Sequence, residues 1–173
     1  MPDSIDTPRL LLRRWTEDDA DDLFDIASDP SVGETAGWRP HSSIQDSRDA
    51  ISDWGSRPGV YAIVSRSYGR PVGCIEIDTD PKILRKGPKD AEVGFWIGRR
   101  YWGQGFATEA LSELLDAAFG CGVSKVWCQC LEDNVASVRV LEKCGMVFHH
   151  RSVSANEFTG EVVTRFYAGK KNG

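Results

Sequence analysis

The sequence of 173 residues predicts one mixed α/β domain, a run of strands interrupted by a helix crossover near the middle. Three observations predict it. Strand-like runs follow one another directly around residue 70 instead of alternating with helices. Two glycines, Gly103 and Gly105, separate a strand-like run from a segment with apolar residues at helical spacing. The chain is also long enough to bury roughly two thirds of its unfolded surface around a single core.

The elements follow in order. RLLLRRW, residues 9–15, reads as a short strand. Thr16 with Asp19 three residues on resembles a capping box, and Ala20, Leu23, Phe24 and Ala27 then keep helical spacing. DPSVGETAGWRPH is polar and punctuated by Gly and Pro, and reads as loop. Ser43 with Asp46 repeats the cap signature ahead of a second helix carrying Ile51 and Trp54. VYAIVSR and PVGCIEID form an antiparallel hairpin through SYGR. TDPKILRKGPKD is a long connection holding Lys82, Arg85, Lys86 and Lys89. AEVGFWI, residues 91–97, is the next strand. The helix after the glycines puts Ala107, Ala110, Leu111, Leu114 and Ala118 on one face and ends at Gly120 or Gly122. KVWCQCL, residues 125–131, is a strand, residues 136–144 a short helix closed by Gly145, and MVFHHRSV and EVVTRFYA two final strands.

Composition narrows the function. Residues 1–54 hold 5 Arg or Lys against 13 Asp or Glu, a balance of −8, whereas the remainder carries 16 against 13, or +3. The acidic total disfavours nucleic acid as a partner. No apolar run approaches the ~18 residues of a membrane span, and the N-terminus has no basic and apolar leader. The five cysteines contain no C-x-x-C pair, which points to reduced thiols in a cytoplasmic protein. Adjacent His149 and His150 on a strand should face opposite ways, and Cys128 and Cys130 lack partners at zinc spacing, so no metal is expected.

Glycines at a helix N-terminus admit an anion. The first N–H groups there have no partner within the helix, the dipole's positive end points outward, and without Cβ atoms phosphate oxygens come within bonding distance. A ligand-free helix-entry turn is the plainer alternative. The triphosphate-binding pattern G-x-x-x-x-G-K-S/T is absent, and the dinucleotide pattern fails where Thr108 replaces its third glycine. Arg100 to Gly105, however, reads R-x-x-G-x-G, and 31 residues after Gly103 comes NVASVRVLEKCGM, beginning at Asn134. Together these resemble the GNAT superfamily of N-acetyltransferases, whose acetyl-CoA loop reads Q/R-x-x-G-x-G/A. GFWIGRRYWGQGFATEAL, N-x-x-S-x-x-V-L-E-K-x-G and the opening TPRLLLRRWTEDDADDL are similar to the branch of ribosomal-protein N-terminal acetyltransferases.

The resemblance implies a GNAT-like mixed, mostly antiparallel central sheet with a splayed pair of parallel strands, residues 91–97 and 125–131, and helices on both faces. It implies acetyl-CoA as cosubstrate and no metal. The pantetheine arm would pair with backbone near Phe95 and Ile97. The main-chain amides of Gly103, Gln104, Gly105, Phe106, Ala107 and Thr108, following Arg100, would hold the diphosphate. Trp102 and Phe106 are expected to pack their rings on the sheet. Asn134 matches the family asparagine near the pantetheine, with a helix N-cap as its other role. Ser137 matches the branch's serine near the sulfur. Leu141 stands where much of the superfamily has a tyrosine, so no acid is carried over there. Lys143 is either a phosphate contact or a solvated helix lysine.

The nucleophile must be a neutral amine. A lysine of pKa ~10.4 is neutral about once in 2,500 at pH 7, a deficit near 4.6 kcal/mol, whereas an α-amine of pKa ~7.8 loses nearer 1 kcal/mol. Glu92 is the candidate base, acting through water, against a strand-edge salt bridge as alternative. The amide near Phe95 is placed to polarise the acetyl carbonyl. GETAGWRPH and the acidic first helix are expected to wall the acceptor site, with Glu34, Trp38 and His41 as contacts and Trp38 folded onto the core as alternative. The resulting reading is acetyl transfer to a primary amine, either a peptide N-terminus or a small cationic amine, in a ternary complex. A non-catalytic acyl-CoA-binding regulator is the competing class. Family analogy further implies a homodimer.

Overall fold

The computed structural model describes residues 1–79, 87–156 and 160–170. β1 (Ser4–Asp6) and β2 (Leu10–Arg13) open the chain, followed by a 3-10 turn, Glu17–Asp19. Three helices come next: α1 (Ala20–Ala27), α2 (Pro30–Ala36) and α3 (Ile44–Gly55). β3 (Val60–Ser65), β4 (Arg70–Asp78) and β5 (Asp90–Ile97) precede α4 (Phe106–Gly120). β6 (Lys125–Leu131), α5 (Val135–Lys143), β7 (Val147–Asn156) and β8 (Gly160–Lys170) complete it. The strands form one sheet in the order β1-β2-β3-β4-β5-β6-β8-β7, antiparallel throughout except for β5 and β6.

Strand alternation sends side chains to two layers. Leu10, Leu12, Ile63, Ile75 and Val93 meet Ala110, Leu111, Leu114 and Ala118 of α4 on one face. Val60, Ala62 and Cys74 meet Leu23 and Ala27 of α1 and Ile51 of α3 on the other. Helices therefore cover both faces, as expected. The SYGR hairpin, both cap signatures and the strand of residues 91–97 also form where expected.

Three expectations need correction. DPSVGETAGWRPH is not all loop, because α2 lies within it. The Asp29 carboxylate accepts the Ser31 N–H at 2.9 Å, Pro30 occupies the first turn, and Gly37 ends the helix with φ 83°. The same Pro and Gly that suggested a break mark the two ends of a helix. β1 was not expected at all. His149 and His150 do not face apart, since a bulge between Phe148 and His150 brings their Nδ1 atoms to 2.8 Å. His150 then stacks on Phe166 and His149 packs edge-on to Trp127. Lys82, Arg85 and Lys86 of the basic connection lie outside the described residues.

The buried Asp19 carboxylate ties β2 to α1. It takes Arg13 in a bidentate pair at 2.7 and 2.8 Å and accepts the Thr16 N–H at 2.9 Å. Burial works against its charge, but the hydrogen bonds from Arg13 and Thr16 outweigh that and hold its pKa below the usual aspartate value. A depressed carboxylate contributes stability above the unfolded pKa of about 3.9, and loses it as pH falls through the folded value. Asp19→Asn should therefore cost roughly 2 kcal/mol at pH 7. Thermal unfolding from pH 7 to pH 2 checks this, with the gap to wild type closing below about pH 4.

Candidate active site

The parallel pair is joined at one end only. Asp90, Ala91 and Glu92 of β5 lie beside Lys125, Val126 and Trp127 of β6, and beyond them the strands part. The Trp127 indole donates to the buried Asp90 carboxylate at 2.9 Å and pins the closed end. Past the split, among the described residues, β5 pairs with β4 alone and β6 with β8 alone. The Gly98 N–H donates to Val72 at 2.8 Å, toward β4. Because backbone groups alternate along a strand, Val93, Phe95 and Ile97 turn theirs away from β4 into the split. The Ile97 carbonyl already accepts the Trp102 indole at 2.6 Å.

At the far end of β5 the chain makes the turn flagged by its glycines. Gly103 and Gly105 have φ 76° and 80°, left-handed values that strain other residues. A Cβ on Gly103 would stand in open space, and α4 begins after Gly105 with no side-chain cap. Main-chain N–H groups of residues 103–108 donate no hydrogen bond to any described residue. They form a run of unpaired donors at the positive end of a helix. Phe106 is buried, as expected, but Trp102 is not a core residue. It is 36% exposed, with the Arg99 guanidinium 4.5 Å above its ring. Its indole hydrogen bond to Ile97 explains the outward position. The Arg100 guanidinium pairs with Asp25 at 2.5 Å. Lys143 is exposed on α5.

On the other side the split opens into a cavity of about 770 Å³. Glu92, Phe95, Trp38, His41, Asn134 and Ser137 all line it, whereas Glu34 is exposed on α2 and does not. Asn134 caps α5, its Oδ1 accepting the Ser137 N–H at 3.1 Å, and its amide donates to the Thr35 carbonyl at 3.4 Å, linking α5 to α2. The buried Leu141 faces the core. Trp38 packs against Trp96 at 5.5 Å and His41 at 5.7 Å between ring centroids. Burial lowers the His41 pKa, with Asp46 opposing, so the ring is neutral at pH 7.

The carboxylates of α1 do not line the cavity. On α1, Asp22 and Asp25 are taken by Arg70 and Arg100, and Asp29 caps α2. The cavity's carboxylates come instead from β4 and β5. Glu76, Asp78 and Glu92 line it together, Asp78 directly opposite Glu92 in the ladder. Glu76 meets Arg57 at 2.8 Å. The half-buried Glu92 accepts the Gln129 amide at 3.4 Å. Burial first, then repulsion from Asp78 and Glu76, raises its pKa above the usual glutamate value. Glu76 and Asp78 were not singled out in the sequence. The available signal was their spacing of two in CIEID, which puts both on one face of a strand.

Such a groove suits a long, amide-bearing ligand with an anionic end, and leads to a chamber lined by Glu76, Asp78 and Glu92 together with Arg39 and Arg57. That is the architecture of a group-transfer enzyme. Residues 9–147 match the acetyltransferase (GNAT) domain family. The uncharacterized N-acetyltransferase YoaA of Bacillus subtilis is 29% identical over 147 residues, covering 82% of this chain and 81% of that protein. Among the solved structures that share the fold are two acetyltransferases. The self-immunity acetyltransferase MccE, in complex with acetyl-CoA and AMP, superposes with a TM-score of 0.81 at 20% identity over 98% of this chain and 97% of its own. The ribosomal alpha-N-protein acetyltransferase RimL, in complex with coenzyme A, gives 0.81 at 18% over 96% and 97%. The chain belongs to the GNAT acetyltransferase family, and acetyl transfer is its class of chemistry.

Proposed function

We propose that the protein moves the acetyl group of acetyl-CoA to a primary amine, a peptide or protein N-terminus or a small cationic amine, by direct attack in a ternary complex. One observation carries this reading: unpaired main-chain donors at residues 103–108 stand beside β5, whose opened edge runs to the carboxylate-lined cavity. The fit to acetyl-CoA rests on those donors and on Gly103, where a Cβ would otherwise stand in the space they face. They would hold the diphosphate, while Phe95 would pair with the pantetheine amides along the edge of β5. Acetyl-CoA supplies an electrophilic thioester carbonyl and a thiolate leaving group.

The chain's own residues would do the rest. Asp78 and Glu92 draw in a cationic amine, Glu76 being held by Arg57. Glu92, made more basic by its surroundings, takes the proton whose loss turns the ammonium into the attacking amine, directly or through water, and the second proton leaves nitrogen for water or the departing thiolate as the amide forms. The nitrogen–carbon bond forms as the carbon–sulfur bond breaks. The Phe95 N–H meets the negative charge that develops on the carbonyl oxygen. A thiol of pKa near 8.5 departs almost as thiolate, so a hydrogen bond from the Ser137 hydroxyl suffices at the sulfur. Two structural neighbours fit this donor and acceptor class: MccE was solved with acetyl-CoA, and RimL is an alpha-N-protein acetyltransferase.

Thermal unfolding with acetyl-CoA, CoA and NAD, followed by a thiol-release screen over peptides, polyamines and aminoglycosides, tests the reading. Acetyl-CoA and CoA at a hundred times their dissociation constants should stabilise the fold by about 2.7 kcal/mol, and NAD should not. Thiol release must be matched by an acetylated amine in the mass spectrum. Binding of CoA without any acetylated product would instead favour the acyl-CoA-binding regulator.

A further inference from the structure

Arg9, at the turn between β1 and β2, reaches across the fold to the glycine turn. Its Nη1 donates to the Gln104 carbonyl at 2.9 Å, and its guanidinium lies 5.0 Å from the centre of the Phe106 ring. Its own position is fixed by Glu109 in the first turn of α4. That carboxylate accepts the Arg9 side-chain Nε–H at 2.6 Å, the Arg9 main-chain N–H at 2.8 Å and the Thr7 hydroxyl at 2.5 Å. Burial opposes the charge on Glu109, but these hydrogen bonds from Thr7 and Arg9 prevail and keep it ionised at neutral pH.

We propose that Arg9 is a positioning residue for cofactor binding: by holding the Gln104 carbonyl it aims the Gly105 N–H outward, toward the diphosphate. The assignment rests on the reading of residues 103–108 as the diphosphate-holding turn. Its physical basis is the planar trans peptide, in which C=O and N–H point in opposite directions, so that fixing one directs the other. The next peptide is fixed the same way, because the Glu109 N–H takes the Gly105 carbonyl at 3.0 Å and thereby directs the Phe106 N–H. Arg9 thus supplies, from 95 residues away, the restraint on Gln104 that the turn does not supply for itself.

Calorimetric titration of the full chain with CoA tests this on wild type, Arg9→Ala, Glu109→Gln and Gly105→Ala, alongside steady-state kinetics and thermal unfolding of each. Arg9→Ala should weaken CoA about tenfold, raise KM for acetyl-CoA by the same factor and leave kcat within about twofold. The Gly105 amide resonance should lose most of its CoA-induced shift. Glu109→Gln separates positioning from simple charge. It loosens Arg9 while making the turn more positive, so positioning requires weaker CoA binding and a bare electrostatic role requires tighter binding. Unchanged affinity in Arg9→Ala, or tighter binding in Glu109→Gln, overturns the assignment. Loss of affinity only in Gly105→Ala overturns Arg9 alone. Failure of wild type to bind CoA, or full binding by Gly105→Ala, overturns the reading of the turn and the assignment with it.

Discussion

Gly105→Ala is expected to weaken CoA about a hundredfold while the domain still folds. Gly105 has φ 80°, and a side chain in that conformation costs roughly 1–2 kcal/mol. A Cβ there would stand in ordinary contact, 3.4 Å from an Arg9 guanidinium nitrogen, so the strain is that of the backbone. Relief of that strain rotates the peptide and gives up the Gly105 N–H, and one charge-assisted hydrogen bond is worth about 1.5–3 kcal/mol. The lost bond, near 3 kcal/mol at the top of that range, sets the effect at about two decades in Kd. Gly103, with φ 76° and nothing within 4 Å of an added Cβ, meets the same backbone strain, and Gly103→Ala should weaken CoA in the same direction. Titration calorimetry reads both. An affinity equal to wild type in Gly105→Ala would remove the diphosphate from this turn.

The second large effect is at Glu92. Glu92→Gln keeps the shape and the hydrogen-bond capacity toward Gln129 but removes the proposed base, and kcat/KM should drop between a hundredfold and a thousandfold. The pH profile carries the sharper signature. A base works when deprotonated, so activity rises as pH passes upward through its pKa. Burial, with Asp78 and Glu76 adding to it, places that rise above the ordinary glutamate value of about 4.3. Asp78→Asn removes one repelling charge and should move the limb to lower pH, and Glu92→Gln should abolish it. An acceptor with an ordinary lysine amine should suffer more from Glu92→Gln than an α-amine, which is already partly neutral at pH 7. If the limb survives in Glu92→Gln, the base lies elsewhere.

Much of the fold was legible because its signals are local. Thr16 with Asp19 and Ser43 with Asp46 mark helix starts within four residues, and both boxes form. Gly103 and Gly105 marked the turn ahead of α4, and Asn134 its capping role. α2 was misread because Pro30 and Gly37 serve equally as breakers and as helix ends, and seven residues give little periodicity to tell which. What stayed hidden depends on register and on distant pairing. Nothing near Asp22 or Asp25 reveals that Arg70 and Arg100 will claim them. Nor does anything near Glu92 reveal that Asp78 will stand directly opposite it. Composition counted the carboxylates of the first third, but not that those lining the cavity come from β4 and β5.

The parted strands have an evolutionary consequence. In the proposed mode the middle of the donor meets main chain at β5 and the glycine turn, a grip that leans on few side chains, Arg9 and the bare Gly103 and Gly105. The proposed acceptor chamber, by contrast, is lined by side chains of α2, β4 and β5, most of them replaceable without touching that grip. Substrate preference can therefore drift by point substitution while the donor stays bound, so one scaffold can be retuned to new amines without reinventing its chemistry.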